Sequence, residues 1–307
     1  MKSAIEFHGN GKLLISGEYL VLAGAMALAM PVRFGQQMVL HEINSRMIDW
    51  KSSTPDGIWF SARFDPDTLT VISANQPAIA FKLNKLLSSA RRLNPGFLTG
   101  ATGWDVDVTA NYPLEWGLGS SSTLCFMVAD WAEVNVFDLF RLTSNGSGYD
   151  IACAGRKGLL YYQLCNGQPE ITDAQAGKAL RENAWFAYLG SKQDSASEVE
   201  AFLANHHFSE LHLAEISQLS TAICGASSTD ELIPLIYEHE VLLSSILKKP
   251  PIASRFRAFP GAVKSLGAWG GDFAMFVSWM EPEEVKNHLC RLGLTNFFSF
   301  HELEIAP

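Results

Sequence analysis

Residues 104–134 place the tightest limit on how this chain can fold. Trp104, Val106 and Val108 alternate with Asp105 and Asp107, the pattern of a half-buried strand. Asn111-Tyr112-Pro113 then turns the chain, and Gly117-Leu118-Gly119 leads into Ser120-Ser121-Ser122-Thr123. Leu124, Met127, Val128, Trp131 and Val134 follow at helical spacing. The order is therefore strand, glycine-rich turn, helix. Glycines let backbone N–H groups approach an anion with no Cβ in the way. The helix start adds unpaired N–H groups and a partial positive charge. Serine hydroxyls there can cap the helix or ligate a phosphate-bound Mg²⁺. The segment alone fits a plain helix N-cap equally well. It is neither a Walker A loop, lacking Gly-Lys-Ser/Thr, nor a Rossmann fingerprint, lacking the third glycine.

The remaining sequence narrows the class. A chain of 307 residues is comfortable for two domains, and 48% hydrophobic with 18% charged residues is ordinary for a globular protein. A formal net charge of -9 argues against broad nucleic-acid or anionic-membrane binding, which draw on diffuse positive surface. The five cysteines (Cys125, Cys153, Cys165, Cys224, Cys290) contain no C-x-x-C and fit neither a disulfide framework nor a zinc site. They read as reduced, mostly buried thiols of a cytoplasmic protein. Leu13 to Met30 is an apolar run, but Glu18 inside it and Glu6 before it argue against a signal peptide.

Along the chain, Lys12 to Leu22 mixes strand and turn signals, and Val32 to Ile43 predicts a strand. Trp59-Phe60 and Leu69 to Ile72 suggest a hairpin around Asp65-Pro66-Asp67. Ala78 to Leu93 has helical spacing and ends on Arg91 and Arg92, where a helix dipole favours cations. Beyond Asp150, Gly158–Leu164 and Trp185–Leu189 read as strands, and Phe208–Ile223 and Asp230–Leu247 as helices. The C-terminal part reads strand (Phe273–Trp279), helix (Glu281–Leu292), strand (Asn296–Leu303). Such runs suggest an α+β layer structure, with a boundary near residues 165–180.

Three motifs stand in order: Gly11-Lys12-Leu13-Leu14-Ile15-Ser16-Gly17-Glu18-Tyr19-Leu20-Val21-Leu22, then Pro113 to Ser122, then Gly146-Ser147-Gly148-Tyr149-Asp150-Ile151-Ala152. Together they resemble the GHMP small-molecule kinase superfamily, most closely its mevalonate and phosphomevalonate branch and a bacterial subgroup named for Gly-Tyr-Asp-Ile-Ala. The resemblance runs the length of the chain. It implies an α+β, two-domain fold, with an S5-like βαβ domain over residues 1–170 and a ferredoxin-like domain over 171–307. It implies ATP and Mg²⁺ as cofactors, a small-molecule acceptor, no nucleic acid or membrane partner, and a monomer or homodimer. The loop Gly117, Leu118, Gly119, Ser120, Ser121 and Ser122 would cradle the ATP phosphates, with Ser121 the Mg²⁺ ligand. Asp150 would orient or deprotonate the acceptor hydroxyl, and Lys12 would lower that hydroxyl's pKa and counter charge on the transferred phosphoryl. Glu18 and Tyr19 would face the acceptor. The implied reaction is transfer of the γ-phosphoryl to a small acidic acceptor, mevalonate or phosphomevalonate. The alternative is a relative with another acceptor, a sugar or amino alcohol, or with little activity.

The sequence departs from the family in two places. Its third glycine-rich motif appears as Lys264-Ser265-Leu266-Gly267-Ala268-Trp269-Gly270-Gly271-Asp272. Gly267, Ala268, Gly270 and Gly271 fit the ATP-binding frame, but Trp269 and Asp272 stand where small residues are usual. Only 28 residues (122 to 149) separate Ser121 from Asp150. The family's helical segment there is longer and carries a glutamate that shares the Mg²⁺. Glu133 and Asp138 are candidates at the wrong spacing, which leaves the second metal ligand unassigned. A phosphorylated acceptor would call for basic side chains such as Arg33, Arg156 or Lys192.

Overall fold

The structure is a computed structural model of the 307-residue chain and describes residues 4–100, 102–190, 199, 202, 204, 208–267 and 271–305. The chain divides into two compact units that are interleaved along the sequence. The first comprises Met1–Gly11, Phe34–Leu114 and Leu118–Arg156; the second comprises Lys12–Arg33, Glu115–Gly117 and Lys157–Pro307.

In the first unit lie the start of β1 (Ile5–Ser16), the end of β2 (Ala27–Ile43), and β3 (Ile48–Thr54), β4 (Gly57–Phe64), β5 (Val71–Ala74) and β6 (Gly103–Ala110). The sheet order is β5-β4-β3-β6-β2. Val106 stands opposite Leu40 and Val108 opposite Met38, so the alternation seen in the sequence sends these four to the core. β6 runs parallel to β3, which requires a crossover; β4, β5 and α1 (Pro77–Leu93) supply it. The expected hairpin joins β4 to β5, and Asp65 Oδ1 stabilises its turn by accepting the Asp67 and Thr68 N–H groups, each at 2.9 Å. Helix α1 buries Leu83, Leu86 and Leu87. Arg91, in its last turn, donates to the carbonyls of Phe97 (2.9 Å) and Asp67 (2.7 Å), so it anchors loops rather than only facing the helix dipole. Helices α2 (Ser120–Trp131), α3 (Val136–Thr143) and α4 (Tyr149–Ala154) complete a core of Met38, Trp50, Phe64, Leu87, Val106 and Met127.

The second unit contains the hairpin β7 (Leu159–Cys165) and β8 (Gln168–Ala174), with Ala27–Ala29 of β2 paired antiparallel to β7. It continues through α5 (Lys178–Asn183), β9 (Ala184–Tyr188), α6 (Glu210–Gly225), α7 (Thr229–Leu247), β10 (Ala262–Leu266), β11 (Phe273–Val277), α8 (Pro282–Arg291), β12 (Phe297–Ser299) and α9 (Phe300–Leu303). Strands β10, β11, β9 and β12 form an antiparallel sheet in that order. These elements bear out the α+β class. The strand expected over Asn296–Leu303 stops early. Ser299 and Glu302 form a capping box, in which each side chain satisfies the other residue's backbone N–H, and this starts α9. The apolar run Leu13–Met30 is accounted for by burial, since Ile15, Leu20 and Ala27 to Met30 are core residues. Among the described residues no helix is long and apolar enough to cross a membrane.

Candidate functional site

Two glycines in left-handed backbone set the catalytic carboxylate candidate and the phosphate-loop candidate. Gly119 (φ +93°) precedes α2 and Gly148 (φ +90°) precedes α4, and both act as N-caps without a side chain. A Cβ at these angles is strained, so the chain can enter each helix this abruptly only through glycine. Helices α2 and α4 pack together, and Ser122 in the first turn of α2 donates its hydroxyl to Asp150 Oδ2. The other oxygen, Oδ1, accepts the Ile151 N–H at 3.0 Å. Asp150 is half-buried and its orientation is fixed from both oxygens. Its charge reaches Cys125, one turn along α2, where burial first and the Asp150 carboxylate second push the thiol up to about 12. Ser121 is exposed on the same turn, while Ser122 is buried. Ser121 is the serine expected to hold the metal, and Ser122 is the one bonded to Asp150.

The strand β1 comes close to the loop. A Cβ on Gly11 would stand 2.5 Å from the Phe34 carbonyl oxygen and 3.0 Å from that of Leu118, so only glycine fits before Lys12. Thr123 is held against the sheet by its bond to Gln36 Oε1 (2.5 Å), with Gly9 packed against it. Leu118 is buried and anchors the loop. Neither candidate for a second metal ligand fits. Glu133 lies twelve residues beyond Ser121, past the far end of α2, roughly 18 Å at 1.5 Å per residue. Asp138 is engaged with Arg141 at 2.9 Å.

In the second unit, Lys12 Nζ donates to the Gly117 carbonyl at 3.0 Å, which ties the first motif's lysine to the phosphate loop. Gly117 has φ +66°, and an ideal Cβ there would lie 1.7 Å from Asp272 Oδ2. Trp116 packs against Phe298, Phe273 and Tyr188, with ring centroids 5.5, 6.0 and 6.2 Å away. Gly267 (φ +70°) turns the chain after β10, and Gly271 precedes Asp272. Ala268, Trp269 and Gly270 lie outside the described residues, as does Lys192. Arg33 is exposed, and the Arg156 carbonyl accepts the Asn10 side chain at 2.8 Å.

Glu18 and Tyr19 are both core residues. Glu18 is 1% exposed and bonded to Lys264, which is fully buried in β10 and also donates to the Ser265 carbonyl at 2.9 Å. Tyr19, at φ +60°, packs its ring 5.3 Å from that of Phe202. The imidazole of His239 lies 3.4 Å from Glu18 Oε2, but its Nε2 accepts the Gly17 N–H at 3.3 Å. Burial, then the Lys264 charge, holds His239 well below its ordinary value, so it stays neutral and gives Glu18 no counter-charge. Burial pushes Glu18 up to about 7 even though Lys264 pulls the other way. Glu240, likewise raised by burial, accepts the Ser265 N–H at 3.0 Å. The sequence does carry a signal for Lys264, a lone lysine in the apolar strand Ala262-Val263-Lys264-Ser265-Leu266, although its motif frame gave it no role.

No family model and no curated protein matches this chain. Solved structures do match over nearly its whole length. Methanococcus jannaschii mevalonate kinase aligns with a TM-score of 0.71 at 17% identity, covering 97% of this chain and 98% of that one. Streptococcus pneumoniae phosphomevalonate kinase, in complex with phosphomevalonate and AMPPNP, gives 0.72 at 15% identity over 96% and 99%. Lactococcus lactis galactokinase complexed with galactose gives 0.66 at 13% identity over 99% and 94%. The fold of this chain is that of the GHMP kinases.

Proposed function

We propose that the chain is an ATP-dependent kinase that transfers the γ-phosphoryl to the hydroxyl or phosphate of a small acidic acceptor, with mevalonate or phosphomevalonate the first to try. The observation that carries this reading is the Ser122–Asp150 hydrogen bond. It sets a fixed carboxylate beside the first turn of a helix entered through Gly117-Leu118-Gly119, and that turn presents N–H groups suited to phosphate. Phosphoryl transfer needs positioning and charge neutralisation more than covalent chemistry. Where the acceptor group is a hydroxyl, Asp150 takes its proton as the new P–O bond forms and the bond to the β-phosphate breaks; a phosphate acceptor attacks through its own anionic oxygen and needs no base. Lys12, at the Gly117 carbonyl, balances charge on the transferred group. Mg²⁺ would be held through the exposed Ser121 hydroxyl and would neutralise the phosphate oxygens. The donor set suits it, because hard divalent cations take hydroxyl and carboxylate oxygens.

A second reading, another acceptor, draws support from Glu18 and Tyr19. Both are buried and engaged with other side chains, so neither is available to recognise mevalonate as expected. The test is ADP release from Mg-ATP with mevalonate, phosphomevalonate, homoserine and galactose. One acceptor should turn over, and Asp150→Asn should lower its rate by roughly 10²–10⁴. No turnover with any of the four would overturn the acceptor assignment. A loss of less than about tenfold in Asp150→Asn would overturn the base.

A further inference from the structure

We propose that His239 and Ser220 are positioning residues for the reaction: from two helices they hold the end of β1, and thereby they set Lys12, the lysine at the Gly117 carbonyl. The inference rests on the kinase reading above and adds two residues from outside its motifs. Every residue in it belongs to the second unit.

Strand β1 ends at Ser16, and side chains from three elements hold the turn beyond. The Ser16 hydroxyl donates to Ser220 Oγ of α6 at 2.8 Å, and both residues are fully buried. Ser220 donates in turn to the Met26 carbonyl at 2.9 Å, and the Met26 N–H donates to Ser217 Oγ, also on α6, at 2.9 Å. The Gly17 N–H donates to His239 Nε2 of α7 at 3.3 Å. Glu18 accepts from Lys264 of β10. Three consecutive residues, 16 to 18, are thus bonded to three different elements.

The residue that follows is strained. Tyr19 has φ +60° and ψ -48°, and the Leu20 N–H donates to the Glu18 carbonyl at 2.6 Å. This is a γ-turn of the rare, strained hand. Such a conformation persists only where its surroundings over-determine it, and strain of this kind collects where a side chain must stay in one place. The side chain in question is Lys12. Lys12 and Ser16 are four residues apart, so they share a face of β1 and stand about 13 Å apart at 3.3 Å per residue. Pairing with β2 holds β1 within the plane of its sheet. The Ser220 bond holds it against displacement out of that plane, on the face that carries Lys12, and the His239 bond fixes the next backbone N–H. A misplacement of about 1 Å in a reacting constellation can cost about 10²-fold in rate. Accepting through Nε2 requires a neutral imidazole with its proton on Nδ1. Burial, then the Lys264 charge, keeps His239 in that form.

The test is calorimetry of Mg²⁺–AMPPNP and Mg²⁺–ADP binding to the full chain, because the ratio of the two affinities isolates the γ-phosphoryl that Lys12 balances. The variants are His239→Leu, His239→Gln and Ser220→Ala, each made with Lys12 present and with Lys12→Met. Leucine removes the acceptor, whereas glutamine Oε1 can accept the Gly17 N–H in place of Nε2. His239→Leu and Ser220→Ala should each lower the AMPPNP preference by about five- to tenfold, the worth of a weakened hydrogen bond to a charged group. His239→Gln should stay within about twofold of wild type, and with Lys12→Met none of the three should change the ratio by more than about twofold. A merely structural role would lower the melting temperature and leave the ratio alone. Ser220→Ala decides the matter if His239→Leu does not fold. A ratio within about twofold of wild type in both, or equal losses when Lys12 is already methionine, would overturn this proposal alone. Lys12→Met that keeps the wild-type ratio would remove the lysine from the phosphate site and this inference with it. Wild-type protein that binds neither nucleotide would overturn the kinase reading as well.

Discussion

The Ser122 hydroxyl orients the proposed base without touching the acceptor, so its removal should tell positioning from chemistry. A hydrogen bond to a charged group contributes about 1.5–3 kcal/mol. Ser122→Ala should therefore lower kcat by roughly 10- to 100-fold with KM for the acceptor little changed, while the circular dichroism spectrum stays native. The buried Glu18–Lys264 pair gives a second prediction. Breaking such a pair leaves an uncompensated charge, so Lys264→Met should cost about 3–5 kcal/mol in denaturant unfolding. Adding Glu18→Gln to that variant should recover much of the loss. The pH dependence follows from the same carboxylate. Its folded pKa, about 7, is raised above the ordinary 4.5, so the folded state holds this proton where the unfolded state has released it. The contribution is full below about 4.5 and lost as pH rises through 7. The stability difference between wild type and Glu18→Gln should shift against wild type across that window. Lys264, His239 and Glu240 face the group, and none of these is visible from the first motif alone. The motif made Glu18 look like a ligand for the acceptor, because its partner stands 246 residues away and short-range patterns carry no trace of it.

At the level of elements, the strongly periodic segments were legible. The alternation in 104–108 and the helical spacing of 78–93 both gave the observed strand and helix, because burial on one face leaves a period in the sequence. What periodicity missed was the switch inside 296–303. Phe297, Phe298 and Phe300 read as one continuous strand, and the competing signal is the Ser299-x-x-Glu302 box. Ser299→Ala should cost about 1 kcal/mol in thermal or denaturant unfolding, the usual worth of an N-cap. The entry to α2 was legible as chemistry but not in detail. Three serines in a row do not say which one turns inward, and helix phase decides that Ser122 is buried and Ser121 exposed.

For the whole molecule, the interleaving of the two units has a direct test. Residues 157–307 lack Lys12–Arg33, and with it Glu18, Leu20 and the strand segment that pairs with β7. That fragment expressed alone should be largely unfolded by circular dichroism and should expose Lys264 without its counter-ion. Native-like melting of the fragment would show that the excursion through 12–33 is dispensable. The sequence gives no hint of this arrangement, since long-range strand pairing is decided by partners that local composition does not encode.

The same excursion also bears on how the protein is made. A ribosome emits the chain from its N-terminus at ~5–20 residues per second. Leu13 to Met30 emerges early, yet Lys264 follows Glu18 by 246 residues, a wait of roughly 12–50 seconds. Until β7 emerges to pair with Ala27–Ala29, and later β10 brings Lys264 to Glu18, the stretch whose burial completes the second unit lacks these partners. Its exposure time is set by translation speed rather than by folding, so slower synthesis should lengthen the period in which a chaperone can bind this segment.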